Sequence, residues 1–310
     1  MLSILKKKSP PKIGIVFGSG GARGWAHVGV MRRLEELGIR PFCVAGTSIG
    51  SIAAASFITN RRLVLENVAE VADWRFMFNL FAEVGIPGSG MLKGYRVEDF
   101  LRKLLHPYDQ IEKLPVPFAA VAADIRSTDE VVLSAGNLIT AIRASVAIPG
   151  VFSPVHHDGR YLVDGGILNP VPVTAARSLG ADYIIAVDVN LRCPADATLS
   201  GTAALEFNTR VLGWFDRLSE DFPQMAPAVK KVRKHFTASL ERPSMAEILT
   251  QTMRIMENKT TASRLEEDKP DILIQPPVGH IQTLDFTCAK ECIEAGYKTA
   301  CECEALAALA

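Results

Sequence analysis

The stretch Ala45 to Ala54, "AGTSIGSIAA", sets a serine between two glycines, after the apolar run Phe42 to Ala45 and before small residues that read as a helix. Ser48 thus stands at a strand-to-helix corner, and two readings fit that place. In the first it is a nucleophile raised on a strained turn, where small neighbours are required and the helix N-terminus adds positive potential. In the second, Ser48 or Thr47 is an ordinary N-cap. The G-x-S-x-G pattern of Gly46, Ser48 and Gly50 is weak evidence alone, and its position at a strand end favours the first reading.

Upstream, "IGIVF" from Ile13 to Phe17 reads as a buried strand that breaks at "GSGGARG", Gly18 to Gly24. Val28, Met31 and Leu34 then keep helical spacing, and Gly38 is placed to end the helix. Strand, glycine turn and helix therefore occur twice. The first turn invites a phosphate-binding reading, because backbone N–H groups at a helix start can hold a negative oxygen. A Walker A loop would end in Gly-Lys-Ser/Thr where this chain has Arg23-Gly24-Trp25. A dinucleotide site would put an acid after the second strand, where Val44-Ala45-Gly46 stand. What remains is an oxyanion hole, with the adjacent amides of Gly20 and Gly21 facing a carbonyl under attack.

Downstream, Arg61 to Tyr108 is mostly helical in pattern. Strands are expected at Phe118 to Ala123 and Val131 to Leu133, a helix at Leu138 to Ala144, and a hairpin of Val151 to Val155 and Tyr161 to Val163 turning at His156 to Gly159. A helix over Val173 to Leu179 and a strand over Tyr183 to Val187 follow. Strands so uniformly apolar are covered on both faces, which points to a largely parallel sheet between helical layers. Leu191 to Asp268 is polar-helical and broken by prolines; Ile272 to Ile274 reads as a late strand and Cys288 to Leu309 as a closing helix.

The 310 residues, 48% hydrophobic, suffice for one large α/β domain. With 34 basic and 34 acidic side chains the charges balance, so no global field selects nucleic acid. The six cysteines form no framework, and a cytoplasmic setting is expected. Met1 to Leu5 before Lys6, Lys7 and Lys8 reverses the order of a secretory signal; it reads as a frayed tail, with contact at the inner face of a membrane as the alternative. The C-terminal cysteine spacings, C-x3-C and C-x-C, lack a histidine pair and are read as binding no metal.

A serine nucleophile needs a base. None of the six histidines, at 27, 106, 156, 157, 235 and 280, sits in a convincing post-strand loop. "YLVDGG" is a better source: Asp164 ends a strand, and Gly165 and Gly166 let other backbone approach. An aspartate of ordinary pKa, ~3.9, is a poor base for a hydroxyl, so a dry pocket is required. The alternative is a simple turn acid.

Five ordered segments, "GSGGARGWAHVGV", "GTSIG", "LKGYRVEDFL", "AIRASVAIPGVFSPV" and "DGGILNPVPV", together resemble the patatin-like phospholipases over about Lys12 to Asn190. The resemblance implies a three-layer α/β/α fold with a mostly parallel central sheet, and a Ser-Asp dyad lipid acyl hydrolase needing neither metal nor cofactor. By position the nucleophile is Ser48, its partner Asp164, and the oxyanion loop Gly20, Gly21 and Arg23, within motifs marked by Gly18, Gly24, Gly46, Gly50, Gly165 and Gly166. Ser19 departs from the family, where many relatives carry glycine; it is harmless if its φ is negative.

The expected substrate is a lipid or other acyl ester, phospholipid or lysophospholipid. The alternatives are a non-catalytic lipid-binding protein and a thioesterase or carboxylesterase using the same dyad. Trp74 to Phe81 and the cluster Trp214, Phe215, Phe222 and Met225 read first as core, with the walls and cover of an apolar channel as the alternative; the run Lys230, Lys231, Arg233 and Lys234 reads as a solvated helix face, with a patch for anionic headgroups as the alternative. Residues 1–11 are expected as a tail, 12–190 as the catalytic core, and 191–310 as a helical cover with the closing strand and helix of the same domain.

Overall fold

The computed structural model describes residues 10–72, 92–191 and 245–309. The lysines of the N-terminal tail, the Trp74 to Phe81 segment, the Trp214 cluster and the basic run at Lys230 lie outside the described residues.

The chain forms a three-layer α/β/α structure. Strands β1 (Ile13–Phe17), β2 (Cys43–Thr47), β3 (Phe118–Asp124), β4 (Glu130–Leu133), β5 (Val155–His157), β6 (Arg160–Asp164), β7 (Tyr183–Val187) and β8 (Ile272–Ile274) make one sheet. Hydrogen-bonded neighbours run β5-β6-β3-β2-β1-β7-β8, with β4 also on β3. The pairs β3–β2, β2–β1, β1–β7 and β7–β8 are parallel; β4 and β6 run antiparallel to β3.

Period-two alternation sorts the strand side chains between two apolar layers. Ile15, Phe17, Val44, Ile185 and Val187 join the core formed with α1 (Trp25–Glu36), α2 (Ile49–Ile58), α3 (Arg62–Val71), α4 (Tyr95–Leu105) and α5 (Leu138–Ser145). Val16, Cys43, Ala45, Ala119, Val121, Ile184 and Ala186 face α6 (Val173–Ser178), with Leu265 of α7 (Met245–Asp268) packed beside them. Burying a Val, Leu or Ile side chain stabilises by about 1.5–3 kcal/mol, so both faces hold the sheet. Helix α8 (Ala289–Glu302) lies against α1, and a short α9 (Glu304–Ala307) follows.

Several boundaries differ from the sequence reading, and β2 runs two residues past Ala45 to Thr47. The hairpin turns at Asp158-Gly159 alone, both in left-handed conformation (φ 47° and 75°), so His156 and His157 belong to β5. A two-residue turn of this kind matches the twist of the strands it joins. Val151 and Phe152 are not in that strand: their amides bond back to the Ile148 carbonyl after α5. The closing helix is interrupted at Cys303 (ψ 95°), and the restart at Glu304 brings Leu306 into the core.

Pairing along β3 determines where the strand ends meet. β4 pairs with Ala120–Ala123, overlapping the β2 stretch and the β6 stretch, so β2 and β6 share the other edge. Thr47 pairs with Val121 and Asp164 with the next residue, Ala122. β2 and β6 therefore run head-on and their C-terminal tips abut.

Candidate active site

Ser48 leaves β2 with φ 56° and ψ −128°, a conformation that costs a non-glycine residue about 1–3 kcal/mol. The turn is tight enough that a Cβ on Gly50 would lie 2.1 Å from the Phe17 carbonyl oxygen. Ser48 occupies the N-cap position of α2, but its hydroxyl makes no capping bond there, and the Thr47 hydroxyl donates to the Asn169 carbonyl at 2.8 Å instead. Instead it donates to Asp164 Oδ2 at 2.5 Å. A third group fixes the corner: the Ser48 amide donates to Ser145 Oγ at 2.8 Å, and that hydroxyl donates to the Val121 carbonyl at 2.6 Å.

Asp164 is 1% exposed. Its Oδ1 accepts from the Gly166 amide at 2.9 Å while Oδ2 accepts from Ser48, so it is a turn acid and the serine's partner at once. Burial, then the negative charge of Glu257, pushes the Asp164 carboxyl up to about 7, against the lowering effect of the Ser48 and Gly166 hydrogen bonds. A proton acceptor near neutrality is what a carboxylate needs to take a hydroxyl proton. A dry site is what an aspartate base needs, and desolvation is the leading cause of the rise here.

The glycine loop lies beside this corner. The Gly18 amide bonds Val187 O, Ser19 bonds Pro170 O, Ala22 bonds Thr283 O, and Arg23 closes back on Gly20 O. Among the described residues the amides of Gly20 and Gly21, at φ 153° and 58°, have no protein partner. These are two adjacent donors without acceptors, as an oxyanion hole requires. Ser19 does not have positive φ, and Asn190 Nδ2 donates to its carbonyl and hydroxyl oxygens at 3.0 and 3.2 Å.

Arg23 is bonded behind the glycine loop, its guanidinium turned away from Ser48. Its amide closes the turn, and its buried guanidinium donates to Val189 O, Ile281 O and Asn190 Oδ1 at 3.2, 3.1 and 2.8 Å, with Glu257 at 4.0 Å. Arg23 anchors the loop from behind. Burial lowers it to about 10, well above neutrality.

His27 is buried and lowered by desolvation to about 4, so it is neutral; its Nε2 donates to the Gly18 carbonyl at 2.8 Å and steadies the loop. His156 packs its ring at a tilt against Tyr161, and His280 pairs with Glu291. Among the described residues, no three His, Cys, Asp or Glu side chains group as metal ligands would. No described helix is long and apolar enough to cross a membrane.

An apolar cavity of about 110 Å³ opens on Ser48 and Gly21, walled by Trp25, Val28, Ile52, Leu65, Phe100 and Phe152. It approaches the roughly 150 Å³ that admits a benzene-sized guest. Its walls come from α1 to α4 and from the segment after α5, which the sequence reading had not assigned to it. Ser145 and Glu257 were also missed. For Glu257 a signal was present, since Met253, Glu257, Thr261 and Leu265 recur every fourth residue on one helix face.

A family profile described as Patatin-like phospholipase matches residues 15–177. An uncharacterized NTE family protein, Rv1063c of Mycobacterium tuberculosis, is 38% identical over 186 residues, 60% of this chain and 51% of its own. Patatin-like phospholipase domain-containing protein 7 of Rattus norvegicus is 32% identical over 293 residues, and protein 6 of Homo sapiens 29% over 297; each alignment covers 92% of this chain and 20% of the relative. The chain thus spans about half the length of the mycobacterial relative and a fifth of the mammalian ones. The crystal structure of VipD from Legionella pneumophila superposes with a TM-score of 0.56 at 13% identity, over 95% of this chain and 67% of that one. With the profile spanning more than half of its length, the chain belongs to the patatin-like phospholipase family.

Proposed function

We propose that this protein is a serine hydrolase of fatty-acyl esters in which Ser48 is the nucleophile, Asp164 the base, and the Gly20 and Gly21 amides the oxyanion donors. The observation that carries the reading is the 2.5 Å hydrogen bond from the strained Ser48 to a buried carboxylate. Family membership, the paired free amides and the apolar cavity support it.

In the reaction, Asp164 takes the hydroxyl proton as Ser48 Oγ adds to the ester carbonyl, and the glycine amides receive the charge that develops on the carbonyl oxygen. The tetrahedral species collapses to an acyl-serine, and Asp164 returns the proton to the departing alcohol. Water, deprotonated by Asp164, then attacks the acyl-serine, and Asp164 returns that proton to Ser48 Oγ as the fatty acid leaves. The acyl chain starts in the cavity walled by Trp25, Phe100 and Phe152.

The test is hydrolysis of p-nitrophenyl butyrate by the whole chain. Ser48→Ala is expected to lower kcat/KM by roughly 10⁴- to 10⁶-fold with an unchanged melting curve. Retained turnover in folded Ser48→Ala protein would overturn the reading. A panel of phospholipid, lysophospholipid and acyl-CoA then separates lipase from thioesterase.

A further inference from the structure

Glu257 is an acid buried on α7, 5% exposed, and the reaction as written gives it no part. Three contacts locate it. Its Oε1 is so close to Gly166 that a Cβ there would lie 2.4 Å away. Arg23 Nη2 stands at 4.0 Å, and the Ser19 hydroxyl lies on the Gly166 side, favouring the charged form of the acid. Ser19 and Arg23 belong to the glycine loop; Gly166 is the residue whose amide bonds Asp164 Oδ1. The carboxylate thus touches both halves of the site from behind, and Gly166 is packed between two acids.

We propose that Glu257 is a positioning residue of the reaction: its buried carboxylate, held by Ser19 and Arg23 and pressed against Gly166, strengthens Asp164 as proton acceptor and holds the glycine loop in register with Ser48. The inference rests on the proposed role of Asp164 as base. Glu257 is reached by four other charged or titratable groups: Arg23 from the loop after β1, Arg254 from the preceding turn of α7, Asp188 from the residue after β7, and Asp164 from β6. The two arginines oppose the burial that pushes the Glu257 carboxyl up, while Asp188 adds to it. A negative charge beside Asp164 disfavours its ionised form, so each proton Asp164 accepts is held more strongly. Gly166 has no side chain, which is what lets the second acid come close.

The test is the pH dependence of kcat/KM on p-nitrophenyl butyrate for wild type, Glu257→Gln and Glu257→Asp, with melting curves. Glu257→Gln keeps an acceptor for Ser19 and removes the charge. The acid limb is expected to move down by about one pH unit, and the high-pH plateau to fall several-fold because the base is weaker. Glu257→Asp, its charge withdrawn by one methylene, is expected to lie between wild type and Glu257→Gln, and it carries the test alone if the amide variant does not fold. An acid limb that stays at the wild-type midpoint overturns the proposal, whether or not the rate falls, since a rate loss without a shift is the mark of structural support only. Ser48→Ala measured alongside separates the two levels. Turnover surviving there defeats the nucleophile reading itself, whereas a silent Ser48→Ala with an unmoved Glu257→Gln midpoint defeats only this inference.

Discussion

Two crossings leave the same rim of the sheet side by side: β1, glycine loop and α1, and β2, glycine turn and α2, with Phe17 paired to Gly46. In sequence they look alike. In the second the positive φ falls on a residue with a side chain, Ser48, and the turn lifts a hydroxyl. In the first it falls on Gly20 and Gly21, and the turn presents bare amides. On the proposed reading, one backbone device makes an electron donor in one place and a receptor for developing charge in the other. The supports differ too: close backbone packing and the neutral Ser145 hydroxyl hold the second crossing, whereas a buried arginine holds the first.

The hardest blow to this contrast is Gly21→Ala. At φ 58° the new Cβ would lie 2.2 Å from the Thr283 carbonyl oxygen, so the loop must shift and the donor pair is lost. Hydrolysis of p-nitrophenyl butyrate is expected to fall about 10²- to 10³-fold, as for loss of an oxyanion donor. Wild-type turnover would mean that the bare amides are not used.

A blow of comparable size, read in stability, falls on the anchor. Arg23→Met leaves Glu257 buried without its nearest cation and three oxygen acceptors without their donor. Urea denaturation is expected to show a loss of about 3–5 kcal/mol. A loss below 1 kcal/mol would show that the first crossing does not depend on its buried charge.

The smallest effect lies at the second crossing and is electrostatic. The folded Asp164 carboxyl, at about 7 against 3.8 unperturbed, binds more protons than the unfolded one between those values. Stability therefore falls as pH rises from about 4 to 7 on its account. Asp164→Asn removes that burden, so the variant is expected to gain about 2 kcal/mol more over wild type at pH 8 than at pH 5. Equal gains at both pH values would mean that Asp164 folds with an ordinary pKa.

What the sequence showed follows the same physics. β1, β7 and β8 have the expected bounds because they are uniformly apolar and end at glycine, polar or proline signals. Ser48 and Asp164 were legible from their motifs, but the reason they meet was not: it lies in both strands sharing one edge of β3. Ser145 sits at the end of an ordinary apolar helix, where nothing distinguishes an inward hydroxyl from a capping one. Glu257 lies in a tract whose prolines and charges masked a 24-residue helix, although its inward stripe was there to read. Arg23 was visible as important, yet only its distant partners Val189, Asn190 and Ile281 reveal what it holds.

The central claim is that the Asp164 carboxylate activates Ser48, and covalent labelling by a fluorophosphonate at pH 8 tests it most directly. A single adduct on Ser48 is predicted for wild type, formed at least about 100-fold more slowly in folded Asp164→Asn protein. Equal labelling rates in the two proteins, or an adduct on another residue, would contradict it.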